Sequence, residues 1–466
     1  MFIKTISISN IRPFPSEIPF VIEGLNVPDS INEGSGLNVF VGENGCGKTT
    51  ILEALALPLL SYKAESITLN DFNDPNSEMV IHIYSSEPFS VKKTMPNGSF
   101  FSKGFSFIAK KRARAIKAYL SSVVVTDQLF ITTANETSVN EGSPDLRVGV
   151  NNPFSGPRFA ENEVLFLDKN RTNQTRTGTY NNTRFDRLME DLNFQYLSKC
   201  ESTPANIDNT ISETVKRTAK NDFLAETIKK TSEIIEQDIR LYLIDNWKPY
   251  TNAFFAIKKE NNQFVNLNAL GSGYEMIFTL IYASTLSKQS GKQLIILIDE
   301  PELHMHPKLQ EQLCTLLIEL SKDNQIFIST HSPLLVKQLR KTQNIKFLIL
   351  KKIIDSITVE NMDSGVLPYI SANEINYLAF DLPTAEFHDE LYGHLMYELE
   401  EYGIESFDTR LTNDFSKTKQ KKWQQEKNGK TCGPMKDVTL QTFIRHKLHH
   451  PDNITMQSSA YSQEEM

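Results

Sequence analysis

The chain has 466 residues, and its 57 acidic and 49 basic side chains leave a formal net charge of −8. That excess of acid argues against a uniformly basic nucleic-acid sheath, although it allows local basic patches. No apolar run approaches the length of a membrane span and the first ten residues lack an apolar signal core, so we expect no membrane association. The four cysteines are widely spaced without a CxxC pair, which predicts a cytoplasmic protein without disulfides.

The first half of the chain begins with strand patterns and then becomes mixed. An edge strand is predicted over 2–8, a buried strand over 37–41, a helix from Lys48 to Leu57, and antiparallel strands over 79–95. From about 101 to 265 we expect an inserted, largely helical region, with a helical stretch around 185–245. Two strand patterns interrupt that region, at 164–167 and in a hairpin at 254–265.

The second half alternates buried strands and helices until about residue 380. The predicted strands are 294–298, 325–330, 346–352 and 357–361, and the predicted helices are 274–287, 307–321 and 333–340. Beyond about 380 the apolar spacing is helical to the end. We therefore predict an α/β head over 1–380, composed of a first lobe (1–100), the insert and a segment from 266 to 380, followed by a helical region over 381–466.

A phosphate-binding loop is predicted between the strand at 37–41 and the following helix, where the sequence GENGCGKT fits G-x-x-x-x-G-K-[ST]. Glycines let successive backbone N–H groups turn inward around phosphates, and the helix directs its N-terminus at the anion. Lys48 would supply a charge for the β and γ phosphates, and Thr49 a hydroxyl for Mg²⁺. The residues expected to bind nucleotide here are Gly42, Glu43, Asn44, Gly45, Cys46, Gly47, Lys48, Thr49 and Thr50.

Two adjacent carboxylates, Asp299 and Glu300, follow the buried strand LIILI at the start of the sequence Asp299-Glu300-Pro301-Glu302. Asp299 would hold Mg²⁺, and Glu300 would polarise the attacking water. A solvated acidic turn is the alternative interpretation, which the presence of the phosphate loop disfavours. Between these motifs Ser272 and Gly273 precede a predicted helix start, where a simple helix cap is equally possible.

The order of these motifs resembles the ABC-type ATPases, specifically their SMC-like branch. GENGCGKTT is similar to the branch's phosphate loop, LGSGYE to its signature, LIILIDEPELHMHP to its Walker B segment and D-loop, and ISTHSP to its switch-histidine segment. The resemblance implies that two heads sandwich two ATP molecules. It places Ser272 and Gly273 on the γ-phosphate bound by the other subunit, and His331 near the γ-phosphate of its own.

The resemblance also has gaps. The segment SNIRPF is similar to the family's first strand, which implies that Asn10 or Arg12 contacts the nucleotide. Gly271 replaces the usual signature serine, and Tyr274 stands where its glutamate is expected. No Q-loop glutamine follows the first helix, and Asp71 is our candidate for that metal-side role.

The C-terminal segment TFIRHKLHHPDN resembles the ending of PtuA-type ATPases of Septu and retron anti-phage systems, which work beside an HNH nuclease, PtuB. This resemblance implies a partner-binding site, formed by Arg445, His446, His449, His450, Pro451 and Asn453. Related OLD nucleases append a TOPRIM module, but residues 381–466 contain no D-x-D, so we expect no nuclease centre in this chain.

The charges are segregated along the chain. Basic stretches lie at 101–126, 169–187 and 417–430, and an acidic stretch lies at 386–408. Basic patches could bind a nucleic-acid backbone, although a solvated surface explains each equally well. The neighbouring acidic and basic stretches predict either docking to a partner or coupling within one chain.

Taken together, the residues and the resemblance predict an ATP- and Mg²⁺-dependent ATPase that forms head-to-head dimers and controls an HNH nuclease. Its further partners would be nucleic acid at the basic patches and a retron reverse transcriptase with its RNA and DNA. The alternatives are a DNA-repair or chromosome-maintenance ATPase without a nuclease partner, the ATP-binding subunit of a transporter, and a scaffold that binds ATP without turnover.

Overall fold

The computed structural model describes most of the chain outside the middle third. The described residues are 2–59, 67–92, 99–112, 115–122, 135–138, 140–141, 146–147, 162–169, 222–237, 239–242, 254–258, 264–266, 272–290, 293–353, 356–362, 365–427, 430–457 and 461–462. Their contacts divide into two units, Met1–Asn361 and Met362–Met466. The helix at 372–380, which the sequence analysis counts with the head, therefore lies in the second unit.

Strands and helices are numbered here in chain order. The strands are β1 Ile3–Ser9, β2 Phe20–Ile22, β3 Leu37–Gly42, β4 Met79–Lys92, β5 Ser99–Arg112, β6 Ala115–Ser122, β7 Asn135–Ser138, β8 Asn140–Glu141, β9 Leu146–Arg147, β10 Asn162–Leu167, β11 Ile239–Tyr242, β12 Phe254–Lys258, β13 Phe264–Asn266, β14 Gln293–Asp299, β15 Gln325–Thr330, β16 Lys346–Ile353, β17 Ser356–Asn361, β18 Lys421–Lys427 and β19 Lys430–Val438. The helices are α1 Lys48–Ala56, α2 Asp222–Ile235, α3 Ser272–Ser290, α4 Pro307–Leu320, α5 Pro333–Leu339, α6 Ala372–Phe380, α7 Ala385–Glu398, α8 Ile404–Phe415, α9 Leu440–His449 and α10 Ile454–Gln457.

A six-stranded sheet in the order β10-β14-β15-β3-β16-β17 forms the centre of the first unit. Its first five strands are mutually parallel, and β17 pairs antiparallel with β16. The sequence of β14 is a nearly continuous apolar run, and every residue of β15 is buried, because parallel strands are covered on both faces. The carboxyl ends of β3, β14 and β15 consequently meet at one edge, where ligands bind in open parallel sheets. This is the α/β P-loop fold that the sequence predicts.

Helix α1 packs between the central sheet and a second, antiparallel sheet in the order β2-β1-β4-β5-β6-β7. Ile51 and Leu55 of α1 share one buried cluster with Ile6 and Ile81 of the antiparallel sheet and with Leu297 of the central sheet. This packing fixes the first turn of α1 against the carboxyl edge of the central sheet.

The prediction of a largely helical insert is wrong for the residues that the structure describes. Within 101–265, α2 is the single helix that the structure describes, and the other described elements are strands. Strand β10 belongs to the central sheet, and β11, β12 and β13 form a small antiparallel sheet, which confirms the hairpin predicted at 254–265. The parts of the predicted helix at 185–245 that fall on 185–221 and 243–245 lie outside the described residues.

The second unit is also less helical than its sequence predicts. A hairpin of β18 and β19 interrupts the helices, and its strands end at Lys427 and resume at Lys430. The two intervening residues in the sequence are Asn428 and Gly429, a pair that strongly favours a tight hairpin. The prediction missed this signal because the surrounding residues are mostly polar and show little apolar alternation.

Candidate functional site

The loop between β3 and α1 adopts a conformation that only its glycines allow. Gly45 and Gly47 have φ angles of 79° and 90°, in the left-handed region. A Cβ atom on Gly47 would come within 2.7 Å of the Phe14 ring, so a larger residue is also excluded sterically. Glu43, Asn44 and Gly45 are exposed, whereas Cys46, Lys48 and Thr50 are buried. The tip of the loop is therefore accessible, while the first turn of α1 is anchored in the core.

Lys48 and His331 form a contact above this loop. Lys48 Nζ donates to the carbonyl oxygens of Gly42 at 2.7 Å and Glu43 at 2.8 Å, and lies 3.3 Å from His331 Nδ1. An ammonium can only donate, so the contact with Lys48 favours the neutral tautomer in which Nδ1 accepts and Nε2 carries the proton. Burial, reinforced by the charge of Lys48, lowers the pKa of His331 to about 4. Burial also lowers the pKa of Lys48.

Thr49 and Asp299 meet at the same edge. Thr49 Oγ1 donates to the two carboxylate oxygens of Asp299 at 3.0 and 3.1 Å, and Ser329 Oγ donates to Asp299 Oδ1. The Asp299 side chain is only 1% exposed. A hydroxyl beside a carboxylate matches the hard oxygen ligands of Mg²⁺, so these residues fit the predicted ion.

Glu300 follows Asp299 with its backbone turned into the left-handed region, at a φ angle of 47°. Its N–H donates to the backbone oxygen of Ser329 at 3.1 Å, which holds this conformation. Glu300 Oε1 lies 3.7 Å from His331 Nε2. The structure thus brings together Lys48, Thr49, Asp299, Glu300 and His331, five residues from three separate sequence motifs.

Glu302 is a member of this site that the sequence analysis did not assign. One of its carboxylate oxygens accepts from Thr330 Oγ1 and from the His331 N–H, both at 2.8 Å. Burial raises the pKa of Glu302. Its position two residues after Glu300 was the available signal, but only the fold shows that it reaches the histidine loop.

Asn10, Arg12 and Asp71 contact protein groups in this structure, and their predicted nucleotide and metal roles stay predictions. Asn10 is fully buried, and its side-chain amide bonds to backbone groups of Asp74 and Ser77, so it shapes a loop. Arg12 forms ion pairs with Glu53 and Asp71.

The Asp71 carboxylate is engaged on both oxygens. Oδ1 accepts from Arg12, and Oδ2 accepts from the N–H and hydroxyl of Thr68. In this structure the Asp71 oxygens thus hold the Arg12 loop, and the metal-side role of Asp71 stays a prediction.

The signature segment begins α3. A Cβ atom on Gly273 would lie 2.8 Å from Met305 Cγ and 3.2 Å from Leu309 Cδ2, so this glycine allows α3 to pack closely on the segment after Glu302. The side chain of Ser272 lies outside the described residues.

In the second unit, the C-terminal motif contacts its own surroundings. Arg445 pairs with Asp389, and His449 Nε2 lies 3.0 Å from the same carboxylate. The His446 ring stacks on Trp423 at a centroid distance of 4.9 Å, and His450 lies beside both.

Asn453 and Pro451 complete this motif. Asn453 is 1% exposed, and its Nδ2 donates to the Gln424 oxygen at 2.7 Å, while Pro451 is exposed. Arg445, His446 and Asn453 therefore hold the unit together, and His449 and Pro451 remain accessible at its surface.

The charged stretches are partly explained by pairing within the second unit. Lys419 contacts Asp408 at 3.1 Å, and Lys436 contacts Glu405. These pairs support coupling within one chain for this part of the acidic stretch. Of the basic stretch at 169–187, only Lys169 is described; Arg171, Arg176, Arg184 and Arg187 lie outside the described residues, as do Arg114 and the side chains of Lys103, Lys110, Lys111, Arg112 and Lys117.

Two features are absent from the residues that the structure describes. Over these ranges, no helix combines the length and apolar character needed to span a bilayer. The same part of the chain holds no group of three or more histidine, cysteine or acidic side chains arranged for a metal ion.

Comparison with known proteins assigns a family to this arrangement. Residues 37–337, more than half of the chain, match the family described as "AAA domain, putative AbiEii toxin, Type IV TA system". The chain belongs to this AAA-domain family. The matched range includes the phosphate loop, Asp299, Glu300 and His331, so the site described above is that of an AAA-type ATPase domain.

Curated relatives of this AAA-domain protein are distant in sequence. It is 24% identical to "Protein ea59" of Escherichia phage lambda, over 73% of this chain and 53% of the relative. It is 21% identical to "Retron Vc95 probable ATPase" of Vibrio cholerae, over 66% of this chain and 67% of the relative. It is 26% identical to the "OLD nuclease" of Thermus scotoductus, over 64% of this chain and 55% of the relative. The match thus spans about half to two thirds of the length of these relatives.

Among solved structures, an SMC head bound to the C-terminal winged-helix domain of ScpA covers 78% of this chain and 98% of its own length. The TM-score is 0.47 at 14% identity.

Proposed function

We propose that the AAA-type domain binds ATP with Mg²⁺ and hydrolyses it at the carboxyl edge of the central sheet. The observation that carries this proposal is the contact of Thr49 with Asp299, directly beside the Lys48 ammonium. Lys48 and the loop N–H groups would bind the phosphates, and Thr49 and Asp299 would hold the ion. Mg²⁺, when bound, neutralises phosphate charge at this edge.

Each remaining residue has a definite part in the proposed reaction. Glu300 accepts the proton of the attacking water, because its carboxylate follows the metal-side aspartate and lies at the pocket. Neutral His331, with its proton on Nε2, donates toward the Glu300 carboxylate or the γ-phosphate. The low pKa of His331 keeps the ring neutral at physiological pH, and the contact with Lys48 favours the tautomer with its proton on Nε2.

The substitution Glu300→Gln tests this proposal. It keeps the shape of the side chain but removes the base, so we expect turnover to fall by about 100-fold or more while ATP affinity is retained. Turnover is measured as phosphate release, and affinity as binding of ATP at equilibrium. Unchanged phosphate release would remove Glu300 from the catalytic role.

We further propose that two copies associate head to head, with Ser272 and Gly273 of one copy contacting the nucleotide of the other. The resemblance of LGSGYE to a signature segment supports this geometry. In the same Glu300→Gln variant, ATP should shift the protein from monomer to dimer in light scattering after gel filtration. A monomer at saturating ATP would contradict the proposed dimer.

We also propose that this ATPase works in the cytoplasm as part of an anti-phage complex and controls an HNH nuclease of the PtuB type. Two observations support this proposal: a relative is named as a retron ATPase, and the C-terminal segment is similar to that of PtuA-type proteins. A retron reverse transcriptase with its nucleic acid is a further proposed partner, and basic surfaces would contact that nucleic acid.

Purification from the native operon tests the proposed partner. We expect an HNH protein to co-purify, and we expect His449→Ala, at an accessible histidine, to weaken its retention more than Lys308→Ala in the first unit does. A complex purified under native expression without any nuclease would contradict the assignment.

A further inference from the structure

A second carboxylate reaches the edge at which Asp299 lies, and it comes from the neighbouring strand. Strand β10 pairs parallel with β14, and the register sets Leu167 opposite Ile298. Asp168, the next residue, therefore falls beside Asp299. Adjacent strands lie about 4.8 Å apart, so the two backbones are close neighbours at this point.

Both side chains belong to the same face of the sheet. Side chains alternate along a strand, and Phe166 and Leu297, each two residues earlier, pack in the cluster that contains Ile51 of α1. Asp168 and Asp299 consequently follow on the face that α1 covers, where Thr49 already contacts Asp299.

Two further observations concern the Asp168 segment itself. Its Oδ1 atom is buried and has no hydrogen-bond partner within the described ranges, although buried acceptors are almost always bonded. Lys169, the next residue, is exposed, and its charge acts on His331, lowering the pKa of that ring. The end of β10 therefore borders the pocket formed by Lys48 and His331.

We propose that Asp168 is the second carboxylate of the Mg²⁺ site and holds the hydrated ion together with Thr49 and Asp299. This inference rests on the proposed ATP site and deepens it. It also fills the metal-side role that the sequence analysis gave to Asp71, whose oxygens are bound by Arg12 and Thr68. Mg²⁺ sites in proteins commonly use one or two carboxylates with water and phosphate oxygens, which matches this set.

The test compares Asp168→Asn with Asp323→Asn in the full chain. Asp323 pairs with Lys288 just before β15, at the opposite edge of the same sheet, so its replacement removes an equal charge away from the site. Binding of a non-hydrolysable ATP analogue is measured at increasing Mg²⁺, and Mn²⁺ binding is followed by electron paramagnetic resonance. We expect Asp168→Asn to raise the half-saturating Mg²⁺ or Mn²⁺ concentration by about tenfold or more. Asp323→Asn should match the wild type.

Separate outcomes overturn the inference and the proposed function. If the wild type binds the analogue with Mg²⁺ and Asp168→Asn shows the same metal dependence, Asp168 is not part of the metal site. If Asp168→Asn weakens binding equally in excess EDTA, its role is structural, and the inference is wrong. If the wild type binds no analogue with or without metal, the proposed ATP site itself is wrong.

Discussion

Glu302 links two parts of the site that lie far apart in the sequence. Its carboxylate fixes the Thr330 hydroxyl and the His331 N–H, and its own segment continues to Met305, which packs on Gly273. The position of His331 therefore depends on a residue that lies outside the phosphate loop.

Removing the two hydrogen bonds that Glu302 accepts should slow turnover without affecting nucleotide binding. We expect Glu302→Ala to lower kcat by about tenfold, since small displacements of reacting groups are costly, while the affinity for Mg·ATP stays the same. Steady-state phosphate release and equilibrium binding measure the two quantities. Glu302→Gln keeps an oxygen that can accept both hydrogen bonds, so it should restore most of kcat. If Glu302→Gln is as slow as Glu302→Ala, the proposal that Glu302 positions His331 through these hydrogen bonds is wrong.

At the scale of elements, the contact between α9 and the β18–β19 hairpin predicts a pH-dependent stability of the second unit. Burial, and then the charge of His450, lower the pKa of His446 to about 4, and burial lowers the pKa of His388 to about 4. Unfolded histidine titrates near 6.5, so between about pH 6.5 and 4 the unfolded chain binds more protons. Acidification through this range therefore favours unfolding.

Trp423 reports this transition because it stacks on His446. The sequence has two tryptophans, so the Trp247→Phe variant leaves Trp423 as the single tryptophan, which is excited selectively at wavelengths that tyrosine does not absorb. We expect the urea midpoint of unfolding of the Trp247→Phe variant to be lower at pH 5 than at pH 7.5. We expect the additional substitution His446→Phe, which keeps an aromatic ring, to make this decrease smaller. An equal decrease of the urea midpoint with and without His446→Phe would contradict the role of His446.

The central elements were predictable from the sequence, because their patterns are local. The apolar run of β14, the short apolar stretch of β15 and the glycines of the phosphate loop indicate strands and a loop without tertiary information. The pairing of β10 with β14 was not predictable, since it joins residues separated by more than a hundred positions. Sequence proximity to the first helix favoured Asp71, whereas the register of β10 brings Asp168 beside Asp299.

The whole molecule consists of two units whose sequence signals differ in strength. Motifs with fixed spacing singled out Lys48, Thr49, Asp299, Glu300 and His331, and the structure brings these five residues together in the first unit. In the second unit, the motif identified by resemblance proves to be largely internal, because Arg445, His446 and Asn453 bind Asp389, Trp423 and Gln424. A resemblance between short segments thus does not distinguish a partner-binding surface from residues that stabilise the fold.

Equilibrium binding of Mg·ATP to Lys48→Ala tests the central claim most directly. Lys308→Ala is the matched control, because Lys308 is an exposed lysine paired with Glu236, away from the phosphate loop. A charge-assisted contact with phosphate predicts an affinity about 10- to 100-fold weaker in Lys48→Ala and unchanged in Lys308→Ala. Full affinity in Lys48→Ala would contradict the assignment of this loop as the ATP site.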